Sequence, residues 1–383
     1  MRDVARVVGV SQSTVSRILN DVPLLVPVAA DTRQRVHEAA RRLGYRPNPL
    51  ARALRGARMM LLGVVVRDIT DPFFASAIEA LSESARSRGY NIVLGHARGL
   101  AEEAIALAAV LESRHCDAII LLGDVSDQPR LVADLSELDI PVVALWQGPT
   151  PHLLHSVNVD NRAGVRLALD HLFELGHRRI AFVEGRRLGD IRERRLAFVS
   201  HAHHLGLEVP PAYIEHGLNT PDAGEAAIRS LIALPEPPTA IVAATDVLAF
   251  GVLHAAHELG IRVPADLSVV GFDDIPIAQH TVPALTTVRM PIAEMVAAAV
   301  ELAVAEPTGA RDAPPVVADH PSGVAVDAAA SLAEADPDPT GATAPSDLAS
   351  GDAGPTPRGA RSRARIFRPE LIVRSSTAGP SGG

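Results

Sequence analysis

The sequence predicts an α/β protein: a small all-α module at the amino terminus, followed by two lobes of parallel β-sheet. Three observations predict it. Residues 3–20 read as two short helices bent about a glycine. From Met60 onward, short continuous apolar runs alternate with amphipathic helical stretches in two successive sets. Charge is also split along the chain. Residues 1–58 carry 11 Arg against 4 Asp and Glu, a net +7, whereas the remainder carries 25 against 41, a net −16. A basic head on an acidic body is the asymmetry expected when one end alone meets nucleic acid. The acidic body also discourages the rest of the chain from lying on phosphates.

The head comes first. Its opening helix runs to about Val8, with Val4, Val7 and Val8 on its apolar side and Ala5 small enough to let a crossing helix approach. Gly9 supplies the left-handed residue that stops a helix and turns the chain. Ser11 stands where a side-chain oxygen caps the next helix. Val15, Ile18 and Leu19 fall on one side of that helix, while Gln12, Ser13, Ser16 and Arg17 lie away from it. Arg offers guanine two parallel donors, and Gln does the same for adenine. This is the pattern of a helix-turn-helix reader of a duplex. An ordinary helical hairpin whose Arg and Gln face water has the same spacing, so the rest of the chain must decide. A third helix spans Asp31–Leu43, with Val36, Ala39, Ala40 and Leu43 inward and Gly44 closing it. In residues 46–58, Asn48 can cap, Pro49 suits a first helical position and Gly56 an exit. That leaves about seven helical residues, too few to hold alone in water. The segment suits a hinge that folds only when held.

The body follows. Apolar runs at Leu61–Val66, Ile92–Leu94, Ala118–Leu122 and Val142–Leu145 alternate with helices near 73–88, 101–114 and 128–138. A second set has strands near 179–183, 239–244 and 268–272, with helices near 161–175, 191–205, 222–234 and 246–259. Continuous apolar strands joined by crossover helices imply parallel sheets covered on both faces. Two sets imply two lobes with a cleft between. Residues 308–364 break this pattern: Ala, Pro and Gly dominate, and Ile, Phe, Tyr and Trp are absent. Such a stretch cannot bury enough apolar surface to order itself, and a disordered insertion is expected there. Ile366–Val373 then resumes a terminal strand.

The single cysteine, Cys116, excludes an internal disulfide and reads as a small core side chain. With no charged-then-apolar export signal and no run of membrane-spanning length, the expected location is the cytoplasm and no membrane partner is expected.

Asp3-Val-Ala…Gly9-Val-Ser…Thr14-Val-Ser-Arg17…Asn20, followed by Thr32-Arg…Leu43-Gly-Tyr45-Arg-Pro47-Asn48 and Ala51-Arg-Ala-Leu54, resembles the head of the LacI/GalR family of bacterial transcription regulators. The resemblance extends through Gly309 and again from Arg365 to Thr377. It implies a two-lobed core like that of periplasmic binding proteins, in which the helix at 291–306 returns to the first lobe and the last strand to the second. It also implies that Gln12, Ser13 and Arg17 face base edges, that Ser11 and Ser16 lie near phosphates, and that Leu54 wedges into the minor groove. Asn48 and Ala51 complete that DNA-contacting set. The expected partners are double-stranded operator DNA, a small-molecule effector, in all expectation a carbohydrate, and a second copy of the chain; no cofactor is expected.

Ligands of open α/β sheets bind beyond the carboxyl ends of strands. There lie Asp71, Phe73 and Phe74 after the first strand, Arg195 in Arg-Leu-Ala-Phe, Asp246 after Ile241-Val-Ala-Ala-Thr, and Asp273 after Val269-Val-Gly-Phe. The resemblance implies that these positions contact the effector. Carboxylates and an Arg suit vicinal hydroxyls, and an aromatic ring suits a sugar's apolar face. Where many family members have Asp-Arg, this chain has Trp146-Gln147, and Asn219 stands where some have an aromatic. Trp146 is expected to take over a stacking role. A transport receptor accounts for the lobes but leaves residues 1–56 without a use. An enzyme finds no support: no phosphate loop with Lys and no Gly-x-Ser-x-Gly elbow is present, and Asp273 and Asp274 are adjacent, so they do not by themselves make the opposed carboxylate pair a glycosidase needs. His201, His203 and His204 read as a solvated helix face rather than metal ligands, so neither catalytic nor metal residues are assigned.

Overall fold

The computed structural model describes residues 1–19, 28–45, 58–98, 100–113, 116–123, 129–146, 154–185, 189–305 and 362–380. The head consists of α1 (Arg2–Val8), α2 (Gln12–Leu19) and α3 (Ala30–Arg42). Val4, Val8, Val15, Ile18 and Val36 meet in a small apolar core, closed by Ala5, Ala39 and Ala40. Gly9 takes φ 77 and ψ 32, and its N–H returns to the Ala5 carbonyl, ending α1 as the glycine requires. Arg35 Nη2 donates to the Val8 carbonyl at 3.0 Å, tying α3 to the carboxyl end of α1. Two residues expected inward lie outward: Val7 is 46% and Leu43 44% exposed. Each sits at a helix end, where the three-helix core no longer covers it.

The body is two six-stranded sheets. The first contains β1 (Leu61–Val66), β2 (Asn91–His96), β3 (Ala118–Leu122), β4 (Val142–Leu145), β5 (His155–Val159) and β11 (Ala364–Phe367), ordered β11-β5-β4-β3-β1-β2. All its pairings are parallel. Helices α4 (Pro72–Ser87), α5 (Ala101–Ser113), α6 (Pro129–Ser136) and α11 (Ile292–Val304) pack on it. The second sheet contains β6 (Ile180–Glu184), β7 (Ile214–His216), β8 (Ala240–Ala243), β9 (Ser268–Asp273), β10 (Thr286–Arg289) and β12 (Glu370–Ile372), ordered β12-β10-β9-β8-β6-β7. Only β12 runs antiparallel to its neighbour β10. Its helices are α7 (Asn161–Glu174), α8 (Gly189–His204), α9 (Pro221–Ile232) and α10 (Asp246–Glu258). Strands β3, β4, β6, β8 and β9 are buried along their whole length, which is why they read as unbroken apolar runs.

The chain passes between lobes after β5, after β10 and between β11 and β12. The expected terminal strand therefore splits. Residues 364–367 finish the first sheet, and residues 370–372 cross to the second, with Arg368-Pro369 between them. A proline cannot donate to a ladder, so it suits the step from one sheet to the other. Strands β5, β7 and β10 were not anticipated; they are short or half polar and carry no continuous apolar run.

Helices α9 and α10 pack backbone to backbone. A Cβ on Gly224 would stand 2.1 Å from the Leu248 carbonyl oxygen, and one on Gly251 would stand 1.8 Å from that of Pro221. Only hydrogen fits at either position.

The hinge expected over 46–58 lies outside the described residues apart from Arg58. So does the expected insertion, apart from Ser362–Ala364, which already lead into β11. Arg58 Nη1 donates to the Val304 carbonyl at 2.8 Å and to Tyr90 Oη at 3.1 Å. Arg365 makes two bonds to Glu301, at 2.9 and 3.0 Å. The points where the chain enters β1, leaves α11 and re-enters at β11 therefore share one end of the first lobe. Among the described residues, no helix is long and apolar enough to cross a membrane.

Candidate nucleic-acid interface and ligand cleft

On the head, Ser11 Oγ accepts the Thr14 N–H at 3.0 Å, capping α2 as its position dictates. Ser11, Gln12 and Ser13 are exposed and Arg17 is half-buried at the same end of the module. Ser16 differs from expectation: it is 9% exposed, grouped with the buried side chains. It follows Val15 at the border of the apolar stripe, and a short side chain there folds under. Asn48, Ala51 and Leu54 lie outside the described residues.

The second site is the cleft between lobes. From the first lobe come Arg67 at the end of β1, Asp71, Phe73 and Phe74 at the start of α4, Gly123 after β3 and Trp146 after β4. From the second come Asp190, Ile191 and Arg194 of α8, Asn219 after β7, Thr245 after β8, Asp273 ending β9, and Met290 after β10. Every one follows the carboxyl end of a strand or opens the helix beyond it. The cavity they enclose is about 30 Å³, room for a water or two. A larger occupant requires the lobes to part.

The first-lobe wall is aromatic. Phe73 and Trp146 meet edge to face with centroids 4.7 Å apart, and Phe74 lies 5.3 Å from Phe73. Arg67 sits over the Phe74 ring at 5.3 Å. Trp146 has φ 59, a left-handed backbone rare for a bulky residue. Asp71 caps α4 by accepting the Phe73 N–H at 3.0 Å, and its other oxygen accepts Asn219 Nδ2–H at 3.0 Å. Burial raises the Asp71 carboxyl above its usual range, against the pull of those two hydrogen bonds.

The second-lobe wall is built on Arg194, whose side chain is 2% exposed. Its Nε donates to Asn161 Oδ1 at 2.8 Å, and its Nη1 donates to the Ala244 carbonyl at 2.6 Å and Asp273 Oδ1 at 3.2 Å. The guanidinium lies 3.6 Å above the centre of Phe272. Asp273 takes φ 116. Burial pushes its carboxyl well above the ordinary value, and Asp246 and Asp71 push the same way against the cation of Arg194.

Two expected cleft residues stand elsewhere. Arg195 turns from the cleft to the buried Glu184, with Nε 3.3 Å from Oε1. The cleft arginine is Arg194, one place earlier, because Ile191, Arg194 and Phe198 share the inward face of α8 and Arg195 is rotated off it. Asp246 is fully buried beneath the cleft and does not line it. Its carboxylate accepts the Ile275 N–H at 2.9 Å and the Thr287 hydroxyl, bracing the turn after β9 against β10. Burial pushes that carboxyl up to about 7. Trp146 is only 3% exposed, held among the phenylalanines rather than offering an open face. Arg67, Asp190, Thr245 and Met290 were missed; all follow strand ends or open α8, and only their place in the topology marks them.

Elsewhere, Glu225, His254 and Glu258 bring donor atoms within 4.8 Å of one another on the surface of α9 and α10. Arg229 already holds Glu258 at 2.5 Å, so the group is a solvated charge cluster. His201 pairs with Asp170 at 2.6 Å.

Comparison with known proteins finds relatives of both the head and the two-lobed core. The family model described as bacterial regulatory proteins, lacI family, matches residues 1–48, and a periplasmic binding protein-like domain matches residues 169–326. The HTH-type transcriptional regulator GalS of Salmonella typhimurium is 38% identical over 82% of this chain and 91% of its own length. The HTH-type transcriptional repressor CytR of Escherichia coli K12 is 34% identical over 76% of this chain and 84% of its own. Among solved structures, the lac repressor dimer bound to operator and the anti-inducer ONPF superposes with a TM-score of 0.75 at 22% identity, over 98% of both chains. The complex of transcriptional regulator CelR with cellobiose gives 0.63 at 26% identity, also over 98% of both. A helix-turn-helix head on a two-lobed binding core defines a DNA-binding transcription regulator rather than an enzyme. The chain belongs to the lacI family of bacterial regulatory proteins.

Proposed function

We propose that this chain is a repressor whose hold on operator DNA is set by a sugar bound between its lobes. The observation that carries the reading is the cleft. Two arginines, three carboxylates, an amide and an aromatic wall converge from both lobes on one small cavity. Such donors and acceptors suit vicinal hydroxyls, and the rings suit the apolar face of a pyranose. Relatives named as regulators, one bound to cellobiose in its solved structure, support it.

The chain acts as a homodimer. Val93 and Leu94 on edge strand β2 are 40% and 43% exposed, with Leu100 and Val110 also outward on this lobe. A second copy covering this apolar surface brings two heads onto the half-sites of a near-palindromic operator. Residues 46–58, between head and core, serve as the hinge, and Leu54 of each copy is the residue that meets the centre of the duplex. Sugar binding changes the angle between lobes, shifts the dimer contact and separates the hinges. A useful response requires a differential affinity of roughly 1–3 kcal/mol.

The test uses the full chain, genomic fragments and a panel of sugars in a gel-shift assay. One fragment bound in preference to bulk competitor, and released by a sugar, supports the proposal. No preference among fragments overturns it. Arg17→Ala is expected to cost about 1–3 kcal/mol on the operator and little on random DNA. Equal losses on both would reduce Arg17 to a phosphate contact.

A further inference from the structure

The chain arriving from the head is fastened to the core by one carboxylate. Asp117, the residue before β3, accepts three successive backbone N–H groups. Met59 donates to Oδ1 at 2.9 Å, and Met60 and Leu61 donate to Oδ2 at 2.7 and 3.3 Å. The N–H of Asp117 itself returns to the Leu61 carbonyl at 2.8 Å. Consecutive N–H groups gathered on one anion form a nest, and bonds to a charged acceptor are stronger than neutral ones. Arg58 is held beside it by the Val304 carbonyl and Tyr90 Oη, and the Met60 carbonyl accepts the Asn91 N–H at 2.9 Å. Met60 takes φ 58. A residue with a side chain keeps that left-handed backbone where its surroundings dictate it.

The carboxylate is not needed to place β1 in its sheet. That strand pairs with β2 from Leu61 and with β3 from Leu62. Met59 and Met60 lie ahead of the strand, on the lead-in from residues 46–58. What Asp117 adds is a fixed direction for the chain where it leaves the first lobe toward the head. A fixed departure matters when two heads must meet one duplex together. Once the first head is bound, the second arrives at an effective concentration set by the reach and stiffness of its connection. Slack in that connection spreads the second head over more positions, and the lost freedom then weighs against binding. The grip of each head by itself is unaffected.

We infer that Asp117 is a positioning residue for two-headed DNA binding: its clamp on Met59, Met60 and Leu61 holds the junction between head and core rigid. The inference rests on the reading of the chain as a dimer on a two-fold operator.

The experiment uses the full chain and three duplexes. One carries the two-fold site that the parent selects from a random-sequence library, one carries half of that site, and one is a mixed sequence of equal length. Asp117→Ala should bind the whole site about tenfold more weakly than the parent, and the other two duplexes equally well. Asp117→Asn is nearly isosteric and keeps one acceptor oxygen, so it should fold and show a smaller loss confined to the whole site. Hydrogen exchange at the Met59, Met60 and Leu61 amides should quicken in the same order. Sedimentation should show both variants as dimers like the parent. Faster exchange with whole-site affinity unchanged in both variants makes the clamp purely structural and overturns the inference. Equal losses on all three duplexes, or a whole-site loss that follows loss of dimers, overturn it too while leaving the DNA-binding regulator intact. Selection of no sequence by the parent overturns both readings.

Discussion

Asn219, on the second lobe, donates its Nδ2–H to Asp71 Oδ2, on the first, across 3.0 Å. Asn219 Oδ1 in turn accepts the Thr245 hydroxyl at 2.6 Å. A chain of two hydrogen bonds thus joins the amino-terminal ends of α4 and α10 over a cavity too small for a sugar. The lobes are latched shut by their own side chains, and any ligand must displace that contact or recruit its groups.

Removing the latch should favour the open form. For Asn219→Ala, the loss of a hydrogen bond worth about 1 kcal/mol shifts the open-to-closed ratio about fivefold. Small-angle scattering of the ligand-free protein should report a larger radius of gyration than the parent. An unchanged radius would show that other contacts keep the lobes together.

The two neighbouring arginines of α8 should behave differently. Arg194→Ala leaves Asp273 buried without its cation and empties the space over Phe272. The expected cost is about 3–5 kcal/mol of stability, read by denaturant unfolding, together with loss of sugar binding. Arg195→Ala should cost less and leave cleft affinity close to normal. Equal effects on affinity would mean that Arg195 reaches the ligand after all.

Acidity should expose the buried carboxyl of Asp246. Its folded value near 7 lies above the ordinary carboxylate value because burial disfavours the charge. A group shifted in this direction contributes stability that is fully present below about pH 4 and is lost as pH rises through about 7. Asp246→Asn cannot ionise, so its stability relative to the parent should improve steadily between pH 4 and pH 7 and level off above. A difference that is flat across that range would place the charge in a better-solvated setting than its burial indicates.

Gly251→Ala should be among the most damaging single methyl groups in the chain. The added Cβ would meet the Pro221 carbonyl oxygen at 1.8 Å, and backbone cannot swing aside as a side chain does. A loss of about 3 kcal/mol or failure to fold is expected, measured by thermal denaturation beside the exposed control Gly206→Ala. Gly206 has open space around it but φ 71, so its own cost reflects backbone strain alone.

Much of this architecture was legible because its physics is local. Buried parallel strands announce themselves as unbroken apolar runs, and Gly9 and Ser11 sit where a turn and a cap require them. What escaped depended on phase or on distant partners. Arg194 and Arg195 are adjacent in sequence, and only the inward stripe of Ile191 and Phe198 tells them apart. Asp246 follows a strand end as the cleft residues do. Its burial is decided by Ile275 and Thr287, which lie 29 and 41 residues further along. Strand β5 was hidden by its polar His-Ser-Val-Asn-Val sequence.

The anchoring of Arg58 on Val304 and of Arg365 on Glu301 has a practical side. Chain departure after Ala305 and return at Ser362 are neighbours, and both stand beside the entry to β1, at the far end of the first sheet from the inter-lobe cleft. Foreign cargo such as a fluorescent protein, spliced in place of residues 306–361, would be mounted where the chain from the head enters the core, away from the cleft. This address is therefore a natural mounting point for converting the molecule into an optical reporter of its own switching.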